Sequence, residues 1–181
     1  MHKLVIPKGC VVGARGIYGC GPEILEFHGT YIDAETVPFG LTGSGYLTVN
    51  PTRLKKLIID CRNTQIVSCY GMPVCEEVVV SGNVETILNM CFGGCSKIKK
   101  ITLSGNKLKE IQSGAFAGCT SLVDISIADS VENIQSGVFG GCSSLKYIKL
   151  PSSLKVLRTG VFNGNGLPLE TVVLPEGLEE I

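Results

Sequence analysis

Apolar side chains two residues apart recur along the chain, with polar residues alternating between them. Leu4 and Ile6 form such a pair in KLVIPKG, Ile125 and Ile127 in VDISIAD, and Ile148 and Leu150 in KYIKLP. A spacing of two places one set of side chains inside a short strand and turns the set between them outward. Eight strand centres follow, at Leu4, Leu25, Leu57, Val78, Ile101, Ile125, Ile148 and Val172. They are 21, 32, 21, 23, 24, 23 and 24 residues apart. No stretch of more than a turn or two carries helical periodicity. The 32-residue step is too long for one plain coil. It holds GLTGSG at Gly40 to Gly45 and YLTVN at Tyr46 to Asn50, and it predicts an insertion near residues 33–53 made of a flexible turn and a small added strand. The Gly-rich phrase lacks the G-K-[ST] ending that a phosphate-binding loop needs.

The steps near 23 residues reflect a repeat. IQSGAFAGCTSLVDISIADSVEN, from Ile111 to Asn133, is followed at once by IQSGVFGGCSSLKYIKLPSSLKV, from Ile134 to Val156. A period of this size marks a solenoid, whose units cannot bury their apolar face alone and therefore stack. The half of each unit opposite the strand carries Gly114, Phe116 and Cys119, matched by Gly137, Phe139 and Cys142. The glycines suit a tight return turn, and Phe and Cys serve as interior plugs. Phe92, Phe116, Phe139 and Phe162, spaced 24, 23 and 23 residues apart, predict a spine of stacked rings opposite the sheet.

The pattern I-x-x-x-A/V-F-x-G-C-x-S-L-x-x-I-x-L-P, as in FAGCTSLVDISI, FGGCSSLKYIKLP and FGGCSKIKKITL, resembles the BspA-type leucine-rich repeat of bacterial and protozoan surface proteins. The likeness is close from about Ile87 to Ile181 and loose in the first half. It implies a mainly β, right-handed leucine-rich-repeat solenoid, with about eight short parallel strands on one face, turn-rich returns on the other and few or no long helices. It also implies a ligand-binding or adhesive scaffold at a cell surface or outside the cell. No catalytic residue and no cofactor carries over, because the family pattern has none.

Composition narrows the partners. The 181 residues suggest a single solenoid domain, 1–181. Sixteen basic and sixteen acidic residues cancel, and no block of like charge occurs. That argues against nucleic acid or an anionic membrane as partner. No run approaches the ~18 apolar residues of a membrane-spanning helix. MHKLVIPKGC lacks the apolar stretch of a signal peptide, so the expectation is either an intracellular protein or one whose export signal lies outside this chain. The chain begins within a strand and stops at Ile181, the position equivalent to Ile111 and Ile134, with no polar capping unit at either end. A piece of a longer array, or self-association through uncapped solenoid ends, is the expectation. Of nine cysteines, Cys95, Cys119 and Cys142 hold the repeat position and read as buried free thiols. For Cys61, Cys69, Cys75 and Cys91, free thiols, a local disulfide and a metal site all stay open, although no second short Cys pair completes a zinc set.

Three function classes compete. An enzyme would need a base beside a nucleophile, a metal or paired carboxylates; His28 follows the second strand with no such grouping in its coil, and reads as a solvent-facing or capping histidine. A binding module would use the outward strand positions, which line up in parallel columns: Lys56 and Ile58, Glu77 and Val79, Lys100 and Thr102, Asp124 and Ser126, Tyr147 and Lys149, Thr171 and Val173. This mixture of charges, hydroxyls and one aromatic suits a protein or glycan ligand, with Tyr147 as the anchor. A building block, such as a spacer in a surface fibre or virion appendage, would use the same solenoid with no ligand site.

Overall fold

The structure, a computed structural model, describes residues 1–13, 16–17, 19–31, 52–63, 65–66, 69–164 and 168–181. The insertion expected near residues 33–53 lies outside the described residues except at its last two positions, and Tyr18 and Asn165 lie outside them too. All regular structure among the described residues is strand. In chain order the strands are β1 (Lys3–Ile6), β2 (Val11–Val12), β3 (Ile24–Phe27), β4 (Thr30–Tyr31), β5 (Lys56–Ile59), β6 (Gln65–Ile66) and β7 (Glu77–Val80). They continue as β8 (Thr86–Ile87), β9 (Lys100–Leu103), β10 (Glu110–Ile111), β11 (Asp124–Ser126), β12 (Asn133–Ile134), β13 (Tyr147–Lys149) and β14 (Thr171–Val173).

The longer strands stack in parallel along one face, and the apolar centres fall in register. Leu4, Leu25, Leu57, Val78, Ile101 and Ile125 are successive partners, and Ile148 faces Val172. The chain is thus a parallel solenoid in which each coil lays one strand on its predecessor. One expectation is corrected. The face is not a single hydrogen-bonded sheet: six strands, β1-β3-β5-β7-β9-β11, form one sheet, and β13 and β14 form a separate pair. The parting coincides with shortening of the strands from four residues to three at β11 and β13, which leaves fewer ladder bonds to hold the junction. There Ile125 and Ile127 are half-buried, whereas Val78, Ile101 and Ile148 are fully enclosed.

A second ladder, absent from the sequence reading, runs along the next edge of the coil. The two-residue strands β6, β8, β10 and β12 pair in parallel, β2 pairs with β4, and an isolated bridge joins Val156 to Glu180. The hydrogen bonds change direction around each coil. Entering the strand face, N–H groups donate to the preceding coil, as Lys99 and Lys100 do to the Glu76 carbonyl. On the return they donate to the following coil, as Phe92 does to Ala115, Phe116 to Val138 and Phe139 to Val161. Every coil is therefore tied to both neighbours, which is how a body with so few residues per layer satisfies its buried backbone.

The interior of the return is the predicted spine. Phe92, Phe116, Phe139 and Phe162 stack nearly parallel, with ring centroids 5.6, 5.9 and 5.8 Å apart. The first three rings are fully buried and Phe162 partly so. The tight turn after each ring needs left-handed backbone, at Gly94, Gly118 and Gly141 (φ 69°, 73° and 70°). A Cβ on Gly118 would meet Gly94 Cα at an ordinary contact distance of 3.6 Å, so the left-handed angle, not lack of space, is what calls for glycine.

The cysteine column has a task beyond filling space. The thiols of Cys119 and Cys142 donate to the carbonyls of Phe92 and Phe116 in the preceding coil, at 3.4 and 3.3 Å. The Cys95 thiol makes the same bond to Cys69, at 3.3 Å. Cys69 therefore occupies the phenylalanine slot one coil earlier. The return bonds agree, since Cys69 N–H donates to Cys91 as Phe92 N–H donates to Ala115. Three residues on, Met72 fills the cysteine slot, fully buried, with its N–H on the Cys95 sulfur at 3.4 Å. Cys61, Cys69, Cys75, Cys91, Cys95, Cys119 and Cys142 are all buried, and all nine cysteines are free thiols in the structure. Burial, the largest cause in each case, pushes Cys61, Cys75 and Cys95 up to about 12 and Cys142 up to about 11. Burial likewise holds Cys91 and Cys119 well above the ordinary thiol range.

Candidate binding face

The twelve outward residues read from the sequence all lie on the strand face, in two columns. Lys56, Glu77, Lys100 and Asp124 are successive partners in one, and Ile58, Val79, Thr102 and Ser126 in the other. Beyond the parting, Tyr147 faces Thr171 and Lys149 faces Val173. The columns extend back to Lys3 and Ile24, and to Val5 and Glu26, positions the sequence reading did not include. Lys56, Ile58, Glu77, Val79 and Thr102 are half-buried, and the others are exposed.

Register turns much of this charge inward upon itself. Lys56 pairs with Glu77 at 2.9 Å, Lys100 with Asp124 at 3.0 Å and Lys3 with Glu26 at 2.9 Å. The hydrogen bond and charge of Asp124 raise the Lys100 ammonium above its ordinary value, and the Lys3 hydrogen bond lowers the Glu26 carboxyl. A further row just ahead of the strands behaves alike, with Lys55 on Glu23, Lys99 on Glu76 and Lys146 on Glu170. Pairs this exposed contribute little stability, because solvent screens them. Their effect is to neutralise the surface, so the first six strands of the face offer a ligand few uncommitted charges.

The C-terminal part of the face differs. Lys149, among the described residues, is the strand-face lysine with no carboxylate within ion-pair distance, although its charge still acts on Asp129 and helps to lower that carboxyl. Tyr147 is 53% exposed beside it, next to Val173 at 37%. Between β11 and β13 a cleft of about 290 Å³ opens, lined by Ile125, Ser126, Ile127, Asp129, Tyr147, Lys149 and Leu150. Asp129 is fixed at its rim by accepting the Ser152 N–H at 2.9 Å, and this bond also lowers its carboxyl below the ordinary range.

His28 sits elsewhere, at the end of β3. Its Nδ1 lies 3.1 Å from Asp60 and its Nε2 3.9 Å from Glu26, so it is a half-buried histidine between two carboxylates rather than a solvent-facing one. Its backbone N–H donates to Ile6. A polar cleft of about 380 Å³ adjoins it, with Lys8 and Cys61 on its walls. The Cys61 thiol is buried and donates to the Asn63 carbonyl. Among the described residues no cluster of three His, Cys, Asp or Glu side chains has the arrangement to hold a metal ion.

This geometry has relatives. Residues 50–181 match the BspA type leucine rich repeat region in six copies. Among solved structures the chain is similar to the T. pallidum leucine rich repeat protein, at 26% identity and a TM-score of 0.51, over 81% of this chain and 62% of that one. It is also similar in fold to a leucine rich cell surface protein from Faecalibacterium prausnitzii A2-165, at 24% identity and a TM-score of 0.53, over 82% of this chain and 36% of that one. The chain thus spans less than two thirds of the length of either structure. No curated protein matches it. With the repeat matched over most of its length and the parallel coils in register, the chain belongs to the BspA type leucine-rich repeat family.

Proposed function

We propose that the chain is a non-enzymatic binding module that engages a protein or glycan partner through the exposed positions of its strand face. The observation that carries this is the register of the face: outward side chains from six successive strands fall into two columns, those of the last two strands pair in the same way, and Tyr147, half exposed, stands opposite Thr171. Extended faces of stacked repeats are the usual binding surfaces of solenoids, and a rigid aromatic supplies contact area at low entropic cost. Adhesion at a cell surface is the role the family resemblance implies for such a module. The test is a combined glycan and protein array probed with the 181-residue chain, then with Ser126→Arg and Thr102→Arg on the face and Asn106→Arg in a turn outside it. Binding that falls with either face variant and survives Asn106→Arg supports the reading. Binding that ignores both face variants overturns it.

A second reading, a component of a larger assembly, is favoured by one observation. Leu157, Val161, Phe162 and Ile181 surround an open cleft of about 550 Å³, a surface that a second copy of this chain would cover. Size-exclusion chromatography across concentrations separates the two, since assembly through that cleft makes elution concentration-dependent and Phe162→Asp abolishes the dependence.

A further inference from the structure

We infer that the cleft between β11 and β13 is the ligand seat of the strand face, and that it takes one ring of a neutral glycan. This rests on the reading of the strand face as a binding surface and specifies where on it, and for what chemistry. Four observations converge there. The hydrogen-bonded sheet stops at β11 and restarts at β13, so the main-chain groups that other coils spend on each other are not spent across this junction. The strands part around a cleft of about 290 Å³, just below the ~300–1,000 Å³ of pockets for whole small ligands. The occupant is therefore small, a single ring or side chain at the end or along the length of something larger. Lys149 is the strand-face lysine that lacks an ion pair, while Lys3, Lys56 and Lys100 have one each. Tyr147 is half exposed over the same space.

The chemistry of the lining selects the occupant. Lys149 only donates, the Asp129 carboxylate only accepts, and the Ser126 hydroxyl does both. The one positive and one negative charge cancel, so a charged ligand is attracted by one and repelled by the other. A neutral polyol gains from both, because each of its hydroxyls donates and accepts at once. The Tyr147 ring and the half-buried Ile125 and Ile127 offer apolar surface to the C–H face of a sugar ring, which an aromatic side chain holds by stacking. An acidic peptide would use Lys149 and leave Asp129 facing it. An apolar peptide side chain would fill the space and leave both charges without partners, a costly arrangement.

Affinity electrophoresis of the 181-residue chain in native gels containing dextran, starch, xylan or galactomannan tests this. The expected result is retardation by at least one neutral polysaccharide, unchanged when salt is raised. Tyr147→Ala should weaken it about tenfold or more and Lys149→Met several-fold, both with unaltered thermal melts, while Asn106→Arg, in a turn outside the face, leaves it intact. If retardation is lost with Thr102→Arg but survives Tyr147→Ala, the face binds and the cleft is not its seat. If no polysaccharide retards the chain, but an arrayed protein binds in a Tyr147-dependent way, the cleft is the seat and the glycan assignment is overturned. If nothing binds through the face by either method, this inference and the strand-face reading fall together.

Discussion

At the junction between the coil of Asp124 and the coil of Tyr147 the two sides of the solenoid behave differently. The strand side parts, with the ladder interrupted between β11 and β13. The return side does not. There Phe116 stacks on Phe139 with centroids 5.9 Å apart, Gly118 N–H donates to the Gly140 carbonyl at 2.7 Å, and the Cys142 thiol reaches the Phe116 carbonyl at 3.3 Å. The ladder of short strands holds as far as the β10–β12 pair and is itself interrupted after β12, since Val156 bridges Glu180 and not β12. The coils therefore do not separate as a whole. They hinge open on the face that presents side chains and stay locked on the side that holds them together, so the opening is a local feature compatible with a stable body. A binding cleft placed on that face can be altered with little effect on the fold, whereas the return cannot.

The strongest way to break the locked side is alkali. Buried thiols whose folded values lie above the ordinary 9.0 add stability that is fully present below about pH 9 and is lost as pH rises toward their folded values of about 11 for Cys142 and 12 for Cys61, Cys75 and Cys95. In that window the unfolded chain releases protons that the folded chain keeps. Each such thiol removes about 1.4 kcal/mol per pH unit, and several act together. Thermal melts should be flat up to pH 9 and collapse above it, with Cys142→Ala reducing the slope. A melting temperature insensitive to pH from 8 to 11 would show that these buried thiols do not stay protonated. The same burial predicts that Cys95, Cys119 and Cys142 react with thiol reagents only in denaturant.

Next in size is the spine. Phe116→Ala or Phe139→Ala removes a fully buried ring and should cost about 3–5 kcal/mol, read as a large drop in melting temperature. Phe162→Ala should cost roughly half as much, because among the described residues its ring is stacked on one side only, and it is partly exposed. Equal losses at all three positions would show that the last ring is as enclosed as the inner ones. Variants of Phe116 and Phe139 that melt within a degree or two of the parent would instead mean that the rings are not the lock.

The sequence made the spine and the strand centres visible because both repeat as letters: Phe every 23 or 24 residues, and an apolar pair in each coil. Where the physics repeats and the letters do not, the reading stopped short. Cys69 stands in the phenylalanine slot and Met72 in the cysteine slot, two substitutions in one coil that hide it from the pattern. The return ladder of β6, β8, β10 and β12 was missed because two residues carry no periodicity. The ion pairs were within reach, since writing Lys56, Glu77, Lys100 and Asp124 in register shows the alternating signs. The parting after β11 was not, because the strand phrases of its two coils, VDISI and KYIKL, alternate just as their neighbours do. The cleft arises from how two well-formed coils sit on each other, and Asp129 joins it from beyond the strand.

A smaller effect is expected at Met90, on the locked side. It is the only non-glycine residue with left-handed backbone among the described residues, φ 53°, and it occupies the position that Gly114, Gly137 and Gly160 hold in later coils. The Met90 N–H donates to the Ser113 carbonyl as the Gly114 N–H does to that of Ser136. Its side chain is 52% exposed and lies across Gly93 and Gly114. Strain of this kind costs ~1 kcal/mol or more, so Met90→Gly should raise stability by about 0.5–1 kcal/mol after the added freedom of the unfolded chain is subtracted. A loss on denaturant melts would mean that the thioether's contacts outweigh the strain.

The smallest effects on stability should come from the open side, and there the expected contrast lies in binding. Lys100→Met removes an exposed pair with Asp124, and its melt should match the parent within about a degree or two. Lys149→Met has no pair to lose and should be equally silent. The two substitutions differ only in what they leave for a ligand: Lys100 is already committed to Asp124, while Lys149 is not. Committing it deliberately is therefore the sharper experiment. Lys149 and Val173 are direct partners in the β13–β14 register, so Val173→Glu places a carboxylate where Lys56 and Lys100 already have one in Glu77 and Asp124. The variant should keep the parent melt and lose several-fold in retention on the neutral polysaccharide that the parent recognises, whereas Val173→Gln, the uncharged control of the same shape, should lose less. If glutamate and glutamine behave alike, the effect is one of shape, and the unpaired charge of Lys149 is not what sets this end of the face apart.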